Sequence, residues 1–415
     1  MQNKTDIYVY ADWKDMDESK FIGILSAQLA KGKKVFSFSY DADWLNSREQ
    51  ILLDPDIVWY KGQQYPTGKE NFGVFLDSMP DTWGRTLMKR RASLKALENN
   101  EIAPVLYDID YLLGVHDLSR MGALRFKKNP GGDFLDNDPI SPTPPWTSIR
   151  ELQHGAALLE SNEDTEEVKK WLTMLMAPGS SLGGARPKAN VLDEKDNLWI
   201  AKFPSKNDTI DKGAWEYLAY RLAINAGIQM SESKIEKVAG KYHTFFTKRF
   251  DREKEQRIHF ASAMTMTGKN EELIRDDTPS YLDIVEFIQF SGTHVTEDLH
   301  QLWRRIVFNV LISNTDDHLR NHGFILTHEG WRLSPAFDIN PSIDKDGLAL
   351  NIDTDNNALN LQLAKSVGIY FRLDETEMNQ TIDKVKSAVS DWQRTASYIG
   401  ISRSEQTLMS SAFKI

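Results

Sequence analysis

The stretch from residue 311 to residue 342 constrains the fold of this chain more than any other, because it sets two aspartates and an asparagine around a predicted hairpin. A polar cluster that contains Asp316 and Asn321 is followed by two short apolar runs within residues 324–333, separated by a Thr-His-Glu-Gly turn. Such a pattern is typical of a β-hairpin. Neighbouring strands lie roughly 5 Å apart, so we expect Asn321, before the first strand, to lie near Asp338, after the second. The sequence therefore predicts that two carboxylates and an amide converge.

Phosphoryl transfer is the chemistry that these residue types favour. The reaction needs an aspartate to take the proton of the attacking hydroxyl, and oxygen ligands from Asn and Asp to hold Mg²⁺ against the nucleotide phosphates. Protein kinases place the catalytic Asp five positions before the metal-binding Asn, and a second metal-binding Asp follows. Asp316, Asn321 and Asp338 have this order and spacing. The alternative is a structural polar loop, in which Asp316 or Asp317 caps a turn and Asp338 caps a helix.

Further upstream, the chain carries other features in the order of a kinase active site. Small residues dominate residues 177–188, and such a loop can direct backbone N–H groups at phosphate oxygens. Lys202 follows on the second strand of a predicted antiparallel pair, where it reaches nucleotide phosphates or simply faces outwards. Glu216, on a predicted helix at 212–226, either pairs with Lys202 or is an ordinary surface glutamate. A connector after the next predicted hairpin would place adenine against the backbone of residues 248–250.

Composition sets the remaining bounds. A chain of 415 residues is long enough for two domains or one large two-lobed unit, and 40% hydrophobic with 27% charged residues is typical of a protein with a substantial core. The net charge of −10 argues against a large nucleic-acid-binding face. The absence of cysteine rules out disulfides and cysteine-based zinc sites or nucleophiles. The N-terminus lacks an apolar signal core, and no apolar run approaches the roughly 20 residues that span a bilayer. We therefore predict a cytoplasmic protein without membrane contact.

The distribution of strand-like and helix-like runs suggests the domain organisation of the chain. Strand-like runs mark an N-terminal subdomain at residues 1–126. Residues 127–147 are interpreted as a linker, because this segment is rich in proline and carries two adjacent glycines. A nucleotide-binding small lobe is expected at residues 148–250 and a helical catalytic lobe at residues 251–415.

Taken together, these motifs resemble the HipA family of serine/threonine kinase toxins, which belong to type II toxin–antitoxin systems. The resemblance rests on Ser-Leu-Gly-Gly-Ala-Arg-Pro-Lys at 181–188, Ala-Lys-Phe at 201–203, Lys-Arg-Phe-Asp-Arg at 248–252, Asn-Thr-Asp-Asp-His-Leu-Arg-Asn at 314–321 and Ser-Pro-Ala-Phe-Asp at 334–338. Two N-terminal motifs also match, Phe-Leu-Asp-Ser-Met-Pro-Asp-Thr-Trp-Gly at 75–84 and Gly-Ala-Leu at 122–124. The resemblance therefore covers nearly the whole chain.

The resemblance implies an α+β, bilobal protein-kinase-like fold that is related to lipid kinases, with an extra strand-rich N-terminal subdomain and a mainly helical C-terminal lobe. It implies ATP and Mg²⁺ as cofactors, Asp316 as the catalytic base, and Asn321 and Asp338 as metal ligands. The nucleotide-binding residues that it implies are Gly183, Gly184, Ala185, Arg186, Pro187, Lys188, Lys202, Lys248, Arg249, Phe250, His318, Leu319, Arg320, Asn321, Phe337 and Asp338. In some family members the position of Lys248 is acidic, so no adenine contact is assigned to its side chain.

Regulation and partners are likewise expected from the family. Ser181 occupies the position of a regulatory autophosphorylation site, and Ser180 is the adjacent alternative. Family toxins are usually encoded beside a small helix-turn-helix antitoxin that binds them and DNA, so DNA would be reached indirectly. Well-studied members phosphorylate an aminoacyl-tRNA synthetase, which makes a protein the expected substrate.

Three other functions remain open at this point. His318 and His322 have the i,i+4 spacing of a metal-dependent hydrolase, although a zinc protease would need glutamate where the chain has Leu319. A nucleotide-binding scaffold or co-repressor, acting with an antitoxin, would bind ATP and Mg²⁺ without turnover. A lipid or small-molecule kinase on the same fold would use the same residues.

Overall fold

The alternating apolar pattern near the N-terminus forms an antiparallel sheet. In the computed structural model, which describes residues 4–30, 33–47, 50–135, 143–160, 166–179 and 184–415, its strands are β1 (Lys4–Ala11), β2 (Lys20–Ala30), β3 (Lys33–Tyr40) and β4 (Leu124–Lys127), in the order β3-β2-β1-β4. On β1, Ile7, Val9 and Ala11 are fully buried, because alternate residues of a strand share one face. The predicted strands in this region are confirmed.

Contacts divide the described chain into a first unit, Met1–Lys206 with Asp251–Ala261, and a second unit, Asn207–Phe250 with Ser262–Ile415. The predicted domain boundaries themselves stay predictions. The described helices of the first unit are α1 (Ala42–Asn46), α2 (Gly73–Asp77), α3 (Thr82–Glu98), α4 (Asp108–Leu113), α5 (Ile149–Glu160) and α6 (Glu166–Gly179). Its antiparallel strands β5 (Lys188–Leu192) and β6 (Leu198–Lys202) form the predicted pair.

In the second unit, α7 (Lys212–Ala226) has the predicted bounds and precedes the antiparallel strands β7 (Ser233–Glu236) and β8 (Thr244–Lys248). The short strands β9 (Arg252–Glu253) and β10 (Gln256–Arg257) come next along the chain and belong to the first unit, as does β11 (Phe260–Ser262) except for its last residue. The next elements are α8 (Ala263–Met266), α9 (Leu273–Asp276), α10 (Tyr281–Ser291), α11 (Val295–Ile312), β12 (Gly323–Thr327) and β13 (Gly330–Leu333). The chain ends with α12 (Leu361–Ser366), α13 (Glu375–Ser390), α14 (Trp392–Ile399) and α15 (Arg403–Met409). Short 3₁₀ turns lie at Trp146–Ser148, Leu319–Asn321, Gly368–Phe371 and Ser410–Ala412.

Helix α11 forms the centre of the second unit. Its last eight residues, from Arg305 to Ile312, are all buried, and they include an asparagine and an arginine among apolar side chains. The helix therefore has a fixed position, and the polar segment that follows its C-terminal end inherits that position. In the part of the chain that the structure describes, no helix is both long and apolar enough to cross a bilayer.

Candidate active site

The loop after α11 exposes one carboxylate among buried neighbours. The helix ends at Ile312, and its C-cap residue Ser313 has a left-handed φ of 50°, which turns the chain sharply. Ser313 is pinned by its hydroxyl, which donates to the carbonyl of Ala412 over 2.8 Å. Asn314, Thr315 and Asp317 are 1–2% exposed, whereas Asp316 is exposed. The loop therefore presents the predicted base, Asp316, to solvent on a rigid support.

Asp317, the neighbour of the predicted base, is the centre of a buried hydrogen-bond network. Its Oδ2 accepts hydrogen bonds from the hydroxyl of Tyr281 and from Nδ2 of Asn309, the latter over 2.8 Å, and lies 2.8 Å from Nε2 of His322. Burial alone would raise the pKa of Asp317, but the charge of His322 and the hydrogen bonds from His322 and Tyr281 lower it below its usual value. Burial and the adjacent Asp317 hold the pKa of Tyr281 well above its usual value. Asp317 is therefore ionised, and it ties the loop to α10 and α11.

Sequence reasoning missed Tyr281 and Asn309 in this network. The signal for Asn309 was present, because it is a lone amide inside the otherwise apolar end of α11, and a buried polar group needs a partner. Tyr281 carried no such signal, since tyrosine at the start of an apolar helix is common. The i,i+4 spacing of His318 and His322 also suggests a zinc pair, but His322 has another partner. It is 2% exposed and is bound to Asp317 instead.

Asp316 and Asn321 do lie together, as their spacing predicts. The 3₁₀ turn Leu319–Asn321 folds the chain back, and Nδ2 of Asn321 donates to the backbone carbonyl of Asp316 over 3.0 Å. The Oδ1 atom of the same amide is an acceptor that this bond does not use. Of the other predicted positions here, Leu319 is buried, His318 is partly exposed and Arg320 is exposed.

The predicted hairpin is confirmed as β12 and β13, with Phe324 opposite Leu333 and Thr327 opposite Gly330. Its second strand is held on α11 through Asp298, whose carboxylate accepts hydrogen bonds from the Arg332 guanidinium over 3.0–3.2 Å. Paired, charge-assisted bonds of this kind fix orientation as well as position.

Directly after β13, the carbonyl of Ser334 accepts a hydrogen bond from the buried Arg305 guanidinium over 2.6 Å. Burial lowers the pKa of this guanidinium to about 10, while Asp317 and Asp298 oppose the shift, so it stays charged at neutral pH. The chain therefore leaves the hairpin towards Asp338 along a fixed path.

A chain of asparagines joins the loop of Asp316 to the segment of Asp338. Asn314 donates to Oδ1 of Asn309 over 3.1 Å, and the backbone N–H of Asn340 donates to Oδ1 of Asn314 over 3.3 Å. Nδ2 of Asn340 in turn donates to Oδ1 of Asp338 over 3.3 Å. Asp338 has a φ of 56°, a left-handed conformation that is uncommon for residues other than glycine and is often found at functional sites.

Two of the predicted nucleotide-binding aromatic residues lie against each other. The rings of Phe250 and Phe337 have centroids 5.6 Å apart at an interplanar angle of 32°. Phe337 is fixed by its neighbour Ala336, whose N–H donates to the carbonyl of Gln229 over 2.8 Å. Arg249 is 3% exposed and Lys248 is partly exposed at the end of β8.

The residues predicted to contact phosphate in the first unit lie at the start of the β5–β6 pair. Lys188 and Lys202 are directly opposite in the antiparallel register and are 5% and 9% exposed. Opposite residues project to the same face, so the two side chains lie on one face of the pair. Because Lys202 is buried, the alternative in which its side chain faces outwards is wrong. Pro187 is buried, Arg186 partly exposed and Ala185 exposed. Ser180, Ser181 and Gly183 lie outside the described residues.

Glu216, on α7, is 7% exposed, which rules out an ordinary surface glutamate. Lys202 and Glu216 belong to different units, and their ion pair stays a prediction.

The donor chemistry of Asn321 and Asp338 fits Mg²⁺, which prefers amide and carboxylate oxygen and takes its other ligands from phosphate and water. Among the described residues, no group of three or more His, Asp or Glu side chains is arranged to hold a metal ion by itself.

The mixture of strand-rich and helical segments defines an α+β protein. Residues 180–392 match the family model of the HipA-like C-terminal domain, about half of the chain, and the chain belongs to that family.

A Haemophilus influenzae protein, whose name provisionally describes it as a kinase, is 28% identical over 180 residues, 39% of this chain and 52% of that protein. The chain thus spans about half the length of the curated relative that it matches. The Shewanella oneidensis MR-1 toxin–antitoxin structure of HipA, HipB and operator DNA aligns with 98% of this chain and 94% of that one, at a TM-score of 0.63 and 17% identity. The similarity shows a shared fold, which is of the kinase-like α+β class. The Helicobacter pylori proinflammatory kinase CtkA aligns with 51% of this chain and 94% of that one at a TM-score of 0.34 and 14% identity, which supports no conclusion.

Proposed function

We propose that the chain is an ATP- and Mg²⁺-dependent serine/threonine protein kinase that acts as the toxin of a type II toxin–antitoxin pair. The observation that supports it most is the arrangement around Asp316. An exposed carboxylate stands among buried neighbours, its own carbonyl holds Asn321, and a chain of asparagines leads to Asp338. Membership of the HipA-like family supports the same reaction class.

Each group has a defined task in this proposal. Asp316 accepts the proton of the substrate hydroxyl, and its exposure lets a protein substrate reach it. Asn321 Oδ1 and the Asp338 carboxylate would hold Mg²⁺, which would supply positive charge against the phosphates. Lys188 and Lys202 would attract the phosphates, and Phe250 and Phe337 would offer apolar surface to the adenine. The Asp317 network keeps Asp316 and Asn321 from moving apart during transfer.

The partners belong to the proposal as well. Since the structurally similar Shewanella HipA is described in a complex with HipB and operator DNA, we propose a small helix-turn-helix antitoxin as a partner, with DNA bound through it. The substrate is a cytoplasmic protein, for which the family precedent is an aminoacyl-tRNA synthetase, and transfer to it would arrest growth. Ser181 would be the site of regulatory autophosphorylation.

The test is transfer of radiolabelled phosphate from ATP, with Mg²⁺, to proteins of a cell lysate, with Asp316→Asn as the matched inactive variant. We expect one or a few labelled proteins with the wild-type chain, label on serine or threonine, and none with the variant. Mg²⁺-dependent ATP binding without transfer to any protein would favour the nucleotide-binding scaffold. Label that appears in lipid or small molecules would favour the third alternative.

A further inference from the structure

The N-terminus of α3 is hydrogen-bonded to the segment from Gly184 to Lys188, which lies more than 100 residues later in the chain. Oδ2 of Asp81 accepts a hydrogen bond from the N–H of Gly184 over 2.7 Å. The backbone N–H of Trp83 donates to the carbonyl of Gly184 over 3.1 Å. The indole Nε1 of Trp83 donates to the carbonyl of Lys188 over 2.9 Å. Both ends of this segment are therefore held by one turn of helix.

The first turn of α3 has side chains that are themselves fixed, so it can hold the segment from Gly184 to Lys188 in place. Asp81 is the N-cap of α3, and its Oδ1 accepts the N–H of Thr82 over 2.8 Å, which leaves Oδ2 for Gly184. Trp83 is 5% exposed, so its ring is fixed by packing and its Nε1 is desolvated. A buried indole N–H needs an acceptor, and the carbonyl of Lys188 supplies it. The Asp-Thr-Trp sequence is part of the N-terminal motif to which the proposed catalytic reaction assigns no task.

The segment from Gly184 to Lys188 carries groups that are proposed to bind the nucleotide phosphates. Gly184 has a φ of 79°, and a Cβ added there would lie 2.8 Å from Nζ of Lys188, so this ammonium group is close to the Gly184 backbone. Lys188 is also the residue at which β5 begins, directly opposite Lys202. Displacement of the segment would therefore move one lysine and disturb the register of the other.

We propose that Asp81 and Trp83 are positioning residues that anchor the phosphate-binding segment, so that Lys188 and Lys202 are in place when the nucleotide arrives. The role rests on the proposed kinase function. Since the anchor acts on nucleotide binding and not on the hydroxyl that is attacked, its loss raises the KM for ATP and leaves kcat nearly unchanged.

The test uses the full chain with Asp81→Ala and Trp83→Phe. For Asp81→Ala we expect the KM for ATP to rise about tenfold, the effect of one lost charge-assisted hydrogen bond, with kcat within about twofold of wild type. Trp83→Phe keeps a large aromatic ring and removes one donor, so we expect a rise of about threefold to tenfold. Asp81→Asn retains an acceptor oxygen and is expected to restore part of the affinity.

Two matched controls report on structure alone. Asp41→Ala removes the N-cap of α1, where Asp41 accepts from the N–H groups of Asp43 and Trp44. Trp59→Phe removes the indole bond to the carbonyl of Leu45. Both should leave the KM for ATP unchanged. A nucleotide-independent measurement accompanies them, since hydrogen exchange of the Gly184 amide without ATP should accelerate in Asp81→Ala and not in Asp41→Ala.

The outcomes separate this role from the proposed function. A wild-type chain that binds ATP, together with an unchanged KM in Asp81→Ala and Trp83→Phe, overturns the positioning role and leaves the kinase intact. A lower KM in Asp81→Ala also overturns it, because Asp81 would then compete with phosphate for the Gly184 N–H. A wild-type chain that binds no nucleotide overturns the proposed function and the positioning role with it, and unchanged Gly184 exchange in Asp81→Ala refutes the anchor whatever the activity.

Discussion

The loop around Asp316 and the segment from Gly184 to Lys188 are held in place in different ways. The first is fixed by buried side chains of the helices beside it, with Tyr281, Asn309 and His322 all bound to one carboxylate. The second is fixed mainly through its backbone, by the first turn of α3. The difference suits the proposed tasks, because a base must be held within a fraction of an ångström, whereas a segment that admits and releases a nucleotide must be able to move.

The largest effect is expected at the base itself. Asp316→Asn removes the proton acceptor but keeps the shape of the side chain, and we expect phosphoryl transfer to fall by about 10²–10⁴-fold with ATP affinity nearly unchanged. Rates from single-turnover assays and affinities from calorimetry test this. Asp346→Asn, another exposed aspartate of the second unit, is the matched control. Turnover within about threefold of wild type would contradict the assignment of the base.

The next effect concerns the predicted metal ligand. Asp338→Ala should abolish the Mg²⁺-dependent part of ATP binding, because a hard cation loses a carboxylate ligand. Titration of ATP with and without Mg²⁺ measures it. Since Asp338 has a φ of 56°, alanine adds backbone strain, and Asp338→Asn serves as the second variant because asparagine tolerates this conformation. If Mg²⁺ strengthens ATP binding to both variants as much as to wild type, Asp338 is not a ligand.

The buried network behind the base should respond in stability as well as in rate. Asp317→Asn leaves His322 beside a neutral partner, and we expect the free energy of unfolding to fall by about 3 kcal/mol, together with a loss of phosphoryl transfer. Denaturant unfolding provides the measurement. Asp374→Asn, at the exposed N-cap of α13, should cost about 1 kcal/mol or less. A cost at Asp317 no larger than that at Asp374 would mean that the network does not hold the loop.

The same network predicts a dependence on pH. Because the pKa of Asp317 is lower in the folded state than in the unfolded chain, its contribution is fully present above the ordinary aspartate value of about 3.9 and is lost as pH falls through the lowered pKa. The stability difference between wild type and Asp317→Asn should therefore be constant from pH 5 to pH 6 as far as Asp317 is concerned, and shrink in more acidic solution.

Local patterns carried most of the fold prediction and the order of the site. Helix α7 and the β12–β13 hairpin were predictable because caps, periodicity and turns are written in neighbouring residues. The Asp316–Asn321 contact follows from a single 3₁₀ turn. The bonds of Tyr281 to Asp317, of Arg305 to Ser334 and of Asp81 to Gly184 were not predictable, since each joins segments whose approach depends on tertiary packing. Sequence could likewise not settle the burial of Lys202 and Glu216.

The smallest effect is expected at the exposed end of the hairpin, in contrast to its buried base. His294, the N-cap residue of α11, lies 3.1 Å through Nδ1 from Glu297, and its Nε2 contacts Glu329 in the β12–β13 turn. The hydrogen bonds that the imidazole ring donates, first to Glu297 and second to Glu329, raise the pKa of His294, while burial and the charge of Arg332 oppose the shift. His328 and Arg332 are the other charged or titratable groups near Glu329.

A raised histidine pKa stabilises the fold through the charged form. The contribution of His294 is therefore fully present below the ordinary value of about 6.5 and is lost as pH rises through the raised value. Between pH 6 and pH 8.5, we expect the Tm of the wild type to fall slightly more than the Tm of His294→Gln. His300→Gln is the control, because His300 lies near the carbonyl of Arg372, and its Tm should follow that of the wild type. Because His294 is well solvated, salt should weaken the effect. Equal pH dependence in wild type and His294→Gln would show that the hairpin is held from its buried base alone, through Asp298 and Arg305.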